Sequence, residues 1–353
     1  MLAEEHRIRL NFYYLLDVAK LVITGERMIE QILPELYRME IPLPGSPLKA
    51  VNSYLIKGEG RFLIIDTGMK REECQEAMFA ALKELNVDLR KTDFFITHLH
   101  ADHLGLVALM ATNNAKVYFS RTEAMIINRN SGEEDRLEDT SGHFMSHGYP
   151  EDVLKLSVAS HPGRRYGLRQ HIDFSIVKEG DKIDVGDYSF QCIETPGHSP
   201  CHMCLYEPDK KLLLSGDHIL ADITPNISYW GELENPLKKY LTNLDKIYPL
   251  DVSLTLPGHR SLIKDHRKRI GELKAHHQDR VKEVLFALES GAKTAYQVAP
   301  YIKWDIKASS WEQFPAAQKW FAFGETLAHL IYMEKEGMVQ EKKEGDKILF
   351  HLA

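Results

Sequence analysis

Five short apolar stretches in this chain each end in a polar turn, and this pattern constrains the fold more than any other feature. The stretches have the length and composition of buried strands, so we predict stacked sheets whose strands end at one common edge. Four of the turns carry candidate metal ligands, and the fifth carries Asp66. The stretches and their turns are Phe62–Ile65 with Asp66–Gly68, Phe94–Thr97 with His98–His103, Phe190–Thr195 with Pro196–His198, Leu212–Ser215 with Gly216–Asp217, and Val252–Leu256 with Pro257–His259.

The side chains in these turns are of the types that bind first-row divalent metal ions, because imidazole nitrogen and carboxylate oxygen suit zinc and comparable ions. Two ions about 3.5–4 Å apart can share a hydroxide that attacks a carbonyl or phosphoryl centre. The pattern therefore predicts a binuclear hydrolase. The predicted ligands form two groups and a bridge: His98, His100 and His198 for one ion, Asp102, His103 and His259 for the other, and Asp217 between them.

Two carboxylates are predicted to have further roles. Asp102 is the candidate catalytic residue, because it would orient the nucleophile and pass a proton to the leaving group. Asp66 is interpreted as a residue that hydrogen-bonds a ligating imidazole and fixes its tautomer. The alternative is that these residues are ordinary core or surface groups among 17 histidines. Their placement at independent strand ends disfavours that alternative. No substrate-binding residue is identified.

At these residues the chain resembles the metallo-β-lactamase fold superfamily. The resemblance implies the α/β class and a four-layer αββα sandwich, with the metal site at one edge. It implies no substrate, because this fold hosts many chemistries. The matching elements, in the order of the family, are Ile65–Gly68, Thr97–His103, Thr195–His198, Ser215–Asp217 and Pro257–His259.

Departures within the superfamily narrow the expected activity. The best-known β-lactamases have a cysteine where Asp217 stands, and the flavodiiron oxygen reductases have a glutamate at the position of His100. Asp217 looks like the bridging carboxylate of glyoxalase II, lactonase and ribonuclease members. We therefore expect hydrolysis of a small ester, thioester or lactone, with a metal-dependent ribonuclease or phosphodiesterase as the alternative. A binding protein with a degenerate site is disfavoured because every expected ligand is present.

The chain is predicted to divide into three parts. Residues 1–27 form an N-terminal extension that matches nothing in the family, either as an extra helix or as a segment before a start at Met28. Residues 28–264 form the hydrolase domain. Within it, residues 121–170 are a helical insertion near the active site and a candidate for substrate selection. The alternative for that segment is a solvated helical excursion with surface histidines.

Residues 265–353 are predicted to form a C-terminal helical domain like a winged helix. The expected helices are Asp265–Arg280, Val281–Leu288, Thr294–Ile302 and Trp320–Lys335, followed by a hairpin over Gly337–Leu352. A branch of the superfamily has such a domain, including β-lactamase-like protein 2 and related endoribonucleases. From Leu262 to Ala353, however, 15 basic residues balance 13 acidic ones, and the last helix has no basic face. Nucleic acid is therefore disfavoured, and we expect the domain to cap the site or form a homodimer interface.

Composition supports a protein that acts on small molecules. The net charge of −7 gives no bulk attraction to nucleic acid or anionic membranes, and no segment approaches the roughly 18 apolar residues of a membrane span. We expect a cytoplasmic location. Four cysteines fit a reducing compartment, and Cys201 and Cys204 are interpreted as packing residues rather than metal or redox groups. The cofactor is expected to be two zinc ions, with iron or manganese as alternatives for the same ligands.

Overall fold

The structure of the chain is a computed structural model that describes residues 28–129 and 140–353. The predicted N-terminal extension lies outside the described residues, as does part of the predicted insertion. The strands are β1 (Ile29–Leu33), β2 (Leu36–Pro42), β3 (Ala50–Lys57), β4 (Phe62–Ile65), β5 (Thr92–Phe95), β6 (Val117–Ser120), β7 (Ser175–Val177), β8 (Lys182–Val185), β9 (Tyr188–Glu194), β10 (Met203–Glu207), β11 (Leu212–Gly216), β12 (Leu254–Pro257), β13 (Val339–Glu344) and β14 (Lys347–Leu352).

The helices alternate with these strands and then dominate the C-terminal part. They are α1 (Glu72–Glu84), α2 (Ala101–Leu104), α3 (Val107–Met110), α4 (Arg121–Arg129), α5 (Ser141–Ser146), α6 (Glu151–Ser160), α7 (Pro162–Tyr166), α8 (Pro236–Ile247), α9 (His266–Leu288), α10 (Ala295–Val298) and α11 (Ala316–Lys335). In the described part of the chain, no helix is long and apolar enough to span a bilayer.

Two sheets form the centre of the molecule. One has seven strands in the order β1 to β7, antiparallel from β1 to β4 and parallel from β4 to β7. The other has the order β12-β11-β10-β9-β8, with β11 and β12 parallel. Parallel neighbouring strands end at the same edge of their sheet, so in each sheet the C-terminal ends of these strands lie close together.

Side-chain alternation along the strands builds the layers. On β4, Leu63 and Ile65 belong to the apolar cluster between the two sheets, whereas Ile64 belongs to the cluster under the helices of the outer face. On β11, Leu214 faces the other sheet and Leu213 faces the layer that contains α8. Buried strands with both faces covered read as continuous apolar runs. The αββα sandwich expected from the sequence is confirmed.

The C-terminal part has a core of its own. Helices α9, α10 and α11 and strand β14 enclose it, and helices α5 and α6 of the predicted insertion contribute Phe144 and Leu154 to the same cluster. The order of three helices and a hairpin is as expected, and β13 pairs with β14 across Gly345, which has a φ of 60°. The two helices expected on either side of Arg280 are one continuous helix, α9, because no proline or turn separates the charged half from the apolar half.

Candidate metal centre

The strand ends bring every predicted ligand to one edge of the sandwich. The turns that follow β5, β9, β11 and β12 carry His98, His198, Asp217 and His259, and the short helix α2 carries Asp102 and His103. Asp66 follows β4, which is the parallel neighbour of β5. The seven predicted ligands fall into three-membered groups with ligand atoms within 4.8 Å of one another, and these groups overlap.

Three imidazoles form the first group. Nδ1 of His100 lies 2.9 Å from Nε2 of His98 and 3.0 Å from Nε2 of His198, and the latter two nitrogens are 3.3 Å apart. Burial, followed by the neighbouring His103, holds the pKa of His98 well below its usual value; burial and His198 do the same for the pKa of His100. Burial also lowers the pKa of His198. These imidazoles are therefore neutral near pH 7 and offer lone pairs to a metal ion.

The second group combines two imidazoles with a carboxylate. Oδ2 of Asp102 lies 3.4 Å from Nε2 of His259 and 4.0 Å from Nε2 of His103. Burial raises the pKa of Asp102, but His103 and His259 outweigh this effect and bring it to about 2. Burial lowers the pKa of His259, but Asp217 and Asp102 bring it to about 10. The carboxylates of Asp102 and Asp217 give this group a negative electrostatic potential, which favours the binding of a cation.

Asp217 lies between the two groups. Its Oδ1 is 3.5 Å from Nε2 of His103, and its Oδ2 is 3.5 Å from Nε2 of His259 and 3.7 Å from Nε2 of His198. Burial raises the pKa of Asp217, but His259 and His103 hold it well below its usual value. One ionised carboxylate thus reaches imidazoles of both groups, as the bridging assignment requires.

The outward nitrogens of the imidazoles have fixed acceptors. Nδ1 of His198 lies 2.8 Å from the carbonyl oxygen of Asn226, and Nδ1 of His259 lies 2.6 Å from that of Ala50. A carbonyl oxygen only accepts, so each Nδ1 carries a proton, and in the neutral imidazole, which is the form that binds a metal ion, the lone pair of Nε2 faces the site. His103 is held in the same way, with its Nδ1 2.7 Å from Oδ2 of Asp66.

Thr97 extends this arrangement to His98. Its hydroxyl donates to Oδ2 of Asp66 at 2.8 Å and therefore accepts from Nδ1 of His98 at 3.0 Å. The role predicted for Asp66 has this geometric support, and Thr97 is a connecting residue that sequence reasoning missed. Its position directly before His98 was the available signal.

The donor set fits divalent metal ions. Nε2 of His103, Nε2 of His259 and Oδ1 of Asp217 are buried and have no hydrogen-bond partner among residues 28–129 and 140–353. Buried polar atoms are normally paired, and these three converge on one region. Their types, together with the lone pairs of the first group, are those that zinc, iron and manganese accept.

Close packing around the site explains two glycines. A Cβ at Gly258 would lie 2.4 Å from Oδ1 of Asp217 and 2.8 Å from Cε1 of His103. A Cβ at Gly216, where φ is 47°, would lie 2.6 Å from Nε2 of His202. Only glycine permits the backbone to approach the ligands this closely.

Three further residues contact the site without a sequence signal of their own. Nε2 of His202 accepts from the main-chain N–H of Asp217 at 3.1 Å. Nε1 of Trp230 donates to the carbonyl of His198 at 3.0 Å, and the ring lies 5.8 Å from that of His100. The sequence gives no indication of these contacts, because the partners of His202, Trp230 and Asn226 are distant in the chain.

The cysteines have the environment of packing residues. Burial raises the pKa of Cys201 to about 11 and that of Cys204 to about 12, so both thiols stay protonated. All four cysteines of the chain are free, and Cys74, Cys192 and Cys204 are buried. The interpretation of Cys201 and Cys204 as packing residues is consistent with these environments.

The histidines of the predicted insertion are divided between different surroundings. His143 stacks on Tyr229 at 4.2 Å, and His147 stacks on Phe350 of the C-terminal hairpin at 5.9 Å. Helix α7 packs near α2, and the carbonyl of Tyr166 accepts from the main-chain N–H of Lys70. The region of α7 therefore lies beside the short helix that carries Asp102 and His103.

Comparison with known proteins agrees with this site. Residues 47–259 match the model of the metallo-beta-lactamase superfamily. The structure resembles TTHA1429, a metallo-beta-lactamase family protein of Thermus thermophilus, with a TM-score of 0.77 and 30% identity over 92% of this chain and 100% of that one.

Curated relatives extend the comparison to proteins with functional names. The chain is 25% identical to the probable metallo-hydrolase YqjP of Bacillus subtilis, over 84% of this chain and 92% of YqjP. It is 25% identical to the human acyl-coenzyme A thioesterase MBLAC2 over 47% of this chain and 57% of MBLAC2. The chain belongs to the metallo-β-lactamase superfamily and is a metal-dependent hydrolase of that family.

Proposed function

We propose that this protein is a binuclear hydrolase that cleaves a small thioester, ester or lactone. The observation that carries the proposal is the position of Asp217, whose two carboxylate oxygens lie 3.5–3.7 Å from imidazole nitrogens of both ligand groups. A bridging ligand for two neighbouring ions must reach the ligand groups of both, and Asp217 does so. Two ions held there would lower the pKa of a water molecule and polarise the bond to be cleaved.

The residues of the chain would supply orientation and proton transfer. Asp102 is ionised near neutral pH, because its pKa is about 2, and it is 7% exposed. We assign it a second role besides metal binding: its carboxylate accepts a hydrogen bond from the attacking water and delivers the proton to the leaving group. Asp66 and the carbonyls of Ala50 and Asn226 keep the imidazoles in the tautomer that leaves Nε2 free.

A thioester is the preferred substrate within this class. The support is the partial likeness to MBLAC2, a protein named as an acyl-coenzyme A thioesterase. Trp230 provides an aromatic surface beside His100, against which an apolar acyl group can pack. Zinc is the preferred metal because imidazole and carboxylate ligands suit it, and iron and manganese are the alternatives to be tested.

The burial of α11 argues against the ribonuclease alternative. In a winged-helix reader of nucleic acid, the last helix would present its side chains to a groove. Here Phe323, Leu327 and Leu330 of that helix are fully buried in the C-terminal core. This burial fits a C-terminal part that supports the structure of the metal centre better than one that reads nucleic acid.

The test pairs metal analysis with a substrate panel. We would measure metal per chain on protein purified without added metal, and then assay acyl thioesters, aryl esters, lactones, a phosphodiester and RNA. Chelated protein would be reconstituted separately with zinc, iron and manganese. The expected result is two ions per chain and chelator-sensitive thioester hydrolysis. One ion or none after reconstitution contradicts the binuclear proposal, and cleavage of RNA alone replaces it with the alternative.

A further inference from the structure

The candidate ligand His198 is connected by hydrogen bonds to the C-terminal helices. Its Nδ1 donates to the main-chain carbonyl of Asn226 at 2.8 Å. Asn226 lies between β11 and α8, in a segment without regular secondary structure. The direction of this carbonyl is therefore not fixed by a helix or a sheet, and it depends on what holds Asn226.

The side chain of Asn226 is anchored on α11. Its Nδ2 donates to Oε2 of Glu325 at 2.6 Å and to the carbonyl of Phe321 at 3.3 Å. Three residues later, the N–H of Tyr229 donates to the carbonyl of Gly324 at 3.2 Å. A Cβ at Gly324 would lie 2.0 Å from Oγ of Ser228, so the segment rests directly on the helix.

Glu325 is in turn fixed by a buried cation. Its Oε1 lies 2.7 Å from Nη1 of Arg280 on α9, and the two side chains are only 7% and 8% exposed. Nη2 of Arg280 donates to the carbonyl of Lys303 at 3.2 Å, and the guanidinium lies 4.2 Å over the ring of Trp304. The carboxylate is thereby held with one oxygen towards Arg280 and the other towards Asn226.

A buried ion pair is a poor means of adding stability, because the desolvation of both charges offsets their attraction. Well-packed apolar residues would connect α9 to α11 at least as well. What the ion pair adds is direction: it holds an anionic acceptor in position for the amide of Asn226. This geometry links two helices of the C-terminal part to one imidazole of the metal centre.

We propose that Arg280 and Glu325 are positioning residues for the metal centre, and that they act through Asn226 to hold His198 in its Nδ1–H tautomer and orientation. The inference rests on the proposed function, because it takes His198 as a metal ligand. It assigns the C-terminal part a role in completing the site. The competing interpretation is that the ion pair only holds α9 against α11.

The experiment exchanges donor and acceptor between Asn226 and Glu325. Asn226→Asp keeps the shape but places a carboxylate against that of Glu325, and so removes the donor. The double variant Asn226→Asp/Glu325→Gln restores a donor and an acceptor with their roles reversed and keeps the net charge. Val284→Ala is the control, because Val284 lies on α9, is buried in the C-terminal core and has an apolar side chain that takes part in none of these hydrogen bonds.

Two readouts are taken on the full chain. The first is the downfield Nδ1–H resonance of His198 in the metal-free protein, assigned by its absence from His198→Ala. The second is the affinity for zinc of the site that loses its ion in His198→Ala, measured by competition with a chelator. We expect Asn226→Asp to lose the resonance to exchange with water and to weaken zinc binding about 10- to 100-fold. The double variant should recover both, and Val284→Ala should change neither.

The outcomes separate this inference from the proposed function. If the unaltered protein binds no divalent ion, the proposed function fails, while the resonance still decides whether Glu325 and Asn226 position His198. Retention of the resonance in Asn226→Asp overturns the positioning role. Its equal loss in Val284→Ala, or no recovery in the double variant, favours general loosening of the C-terminal helices and overturns the role as well.

Discussion

Oδ2 of Asp66 lies 2.7 Å from Nδ1 of His103, and both side chains are buried. The same carboxylate accepts from the main-chain N–H and the hydroxyl of Thr97, each at 2.8 Å. Since the Thr97 hydroxyl also contacts His98, Asp66 orients one imidazole in each ligand group. A single carboxylate outside the ligand set thus serves both predicted ions.

Asp66→Asn should weaken the binding of both ions. The substitution keeps the size of the side chain but removes the negative charge of the group that accepts the hydrogen bond from Nδ1 of His103. Loss of such an outer partner typically lowers metal affinity 10- to 100-fold, and we expect a change of about that size here. Zinc competition with a chelator measures it. Asp251→Asn, at an exposed residue paired with Lys211, is the control. Equal affinities in the two variants would refute the role of Asp66.

Asp217→Ala should deplete both ions, because its carboxylate reaches imidazoles of both groups. We expect metal content after dialysis to fall from two ions per chain towards none, and hydrolysis to fall below detection. Mass spectrometric metal analysis of the dialysed variant provides the measurement. Full metal content and activity would show that the bridging assignment is wrong.

His103→Ala should instead deplete one ion preferentially. Its Nε2 belongs to the group with Asp102 and His259, whereas the first group retains three imidazoles. The matched variant, His100→Ala, should deplete the other ion. Metal titrations of the two variants should therefore show one strong site each. Equal loss of both ions from each variant would count against this division of ligands.

Much of the site could be predicted because each ligand stands in a short motif at the end of an apolar strand. His98, His100, Asp102 and His103 are close in sequence and follow β5 of one sheet, whereas His198, Asp217 and His259 follow strands of the other sheet, and the packing of the two sheets brings the two sets together. The ligand positions therefore follow from the strand ends once the two sheets are stacked. The αββα sandwich is implied by the resemblance to the metallo-β-lactamase superfamily, because β4 and β11 are covered on both faces and their sequences are continuous apolar runs that do not reveal which residue faces which layer.

The connections behind the ligands could not be predicted in this way. Asn226 and Glu325 are 99 residues apart, and Arg280 and Glu325 are 45 apart. Neither pair belongs to a local motif, so only tertiary packing of α9 and α11 brings them together. His143 and His147 are a similar case, because they lie in the segment considered for substrate selection and only tertiary packing places them against Tyr229 and Phe350.

Gly258→Ala should prevent proper assembly of the metal centre. The added methyl group would lie 2.4 Å from Oδ1 of Asp217 and 2.8 Å from Cε1 of His103, so at least one of the two must move. Such overpacking costs about 1–3 kcal/mol, and we expect loss of bound metal together with a lower free energy of unfolding. Gly231→Ala is the control, because no atom lies within 4 Å of its added Cβ. Normal metal content in Gly258→Ala would contradict the close approach.

Protonation of His143 should destabilise the fold in mild acid. Burial, and then the neighbouring His147, lower its pKa from 6.5 to about 4. Between these values the unfolded chain binds a proton that the folded chain does not. The stability contributed by neutral His143 is therefore fully present above about pH 6.5 and is lost as the pH falls towards 4.

His143→Phe isolates this contribution, because it keeps the ring stacked on Tyr229 and cannot be protonated. Nε2 of His143 has no hydrogen-bond partner among the described residues, so the substitution removes no hydrogen bond at that atom. We expect the free energy of unfolding, measured by urea titration, to fall less steeply between pH 7 and pH 5 than in the unaltered protein. His171→Phe, at an exposed histidine, controls for the general effect of replacing an imidazole by a phenyl ring. Identical slopes for His143→Phe and the unaltered protein would show that the buried imidazole does not govern stability in this range.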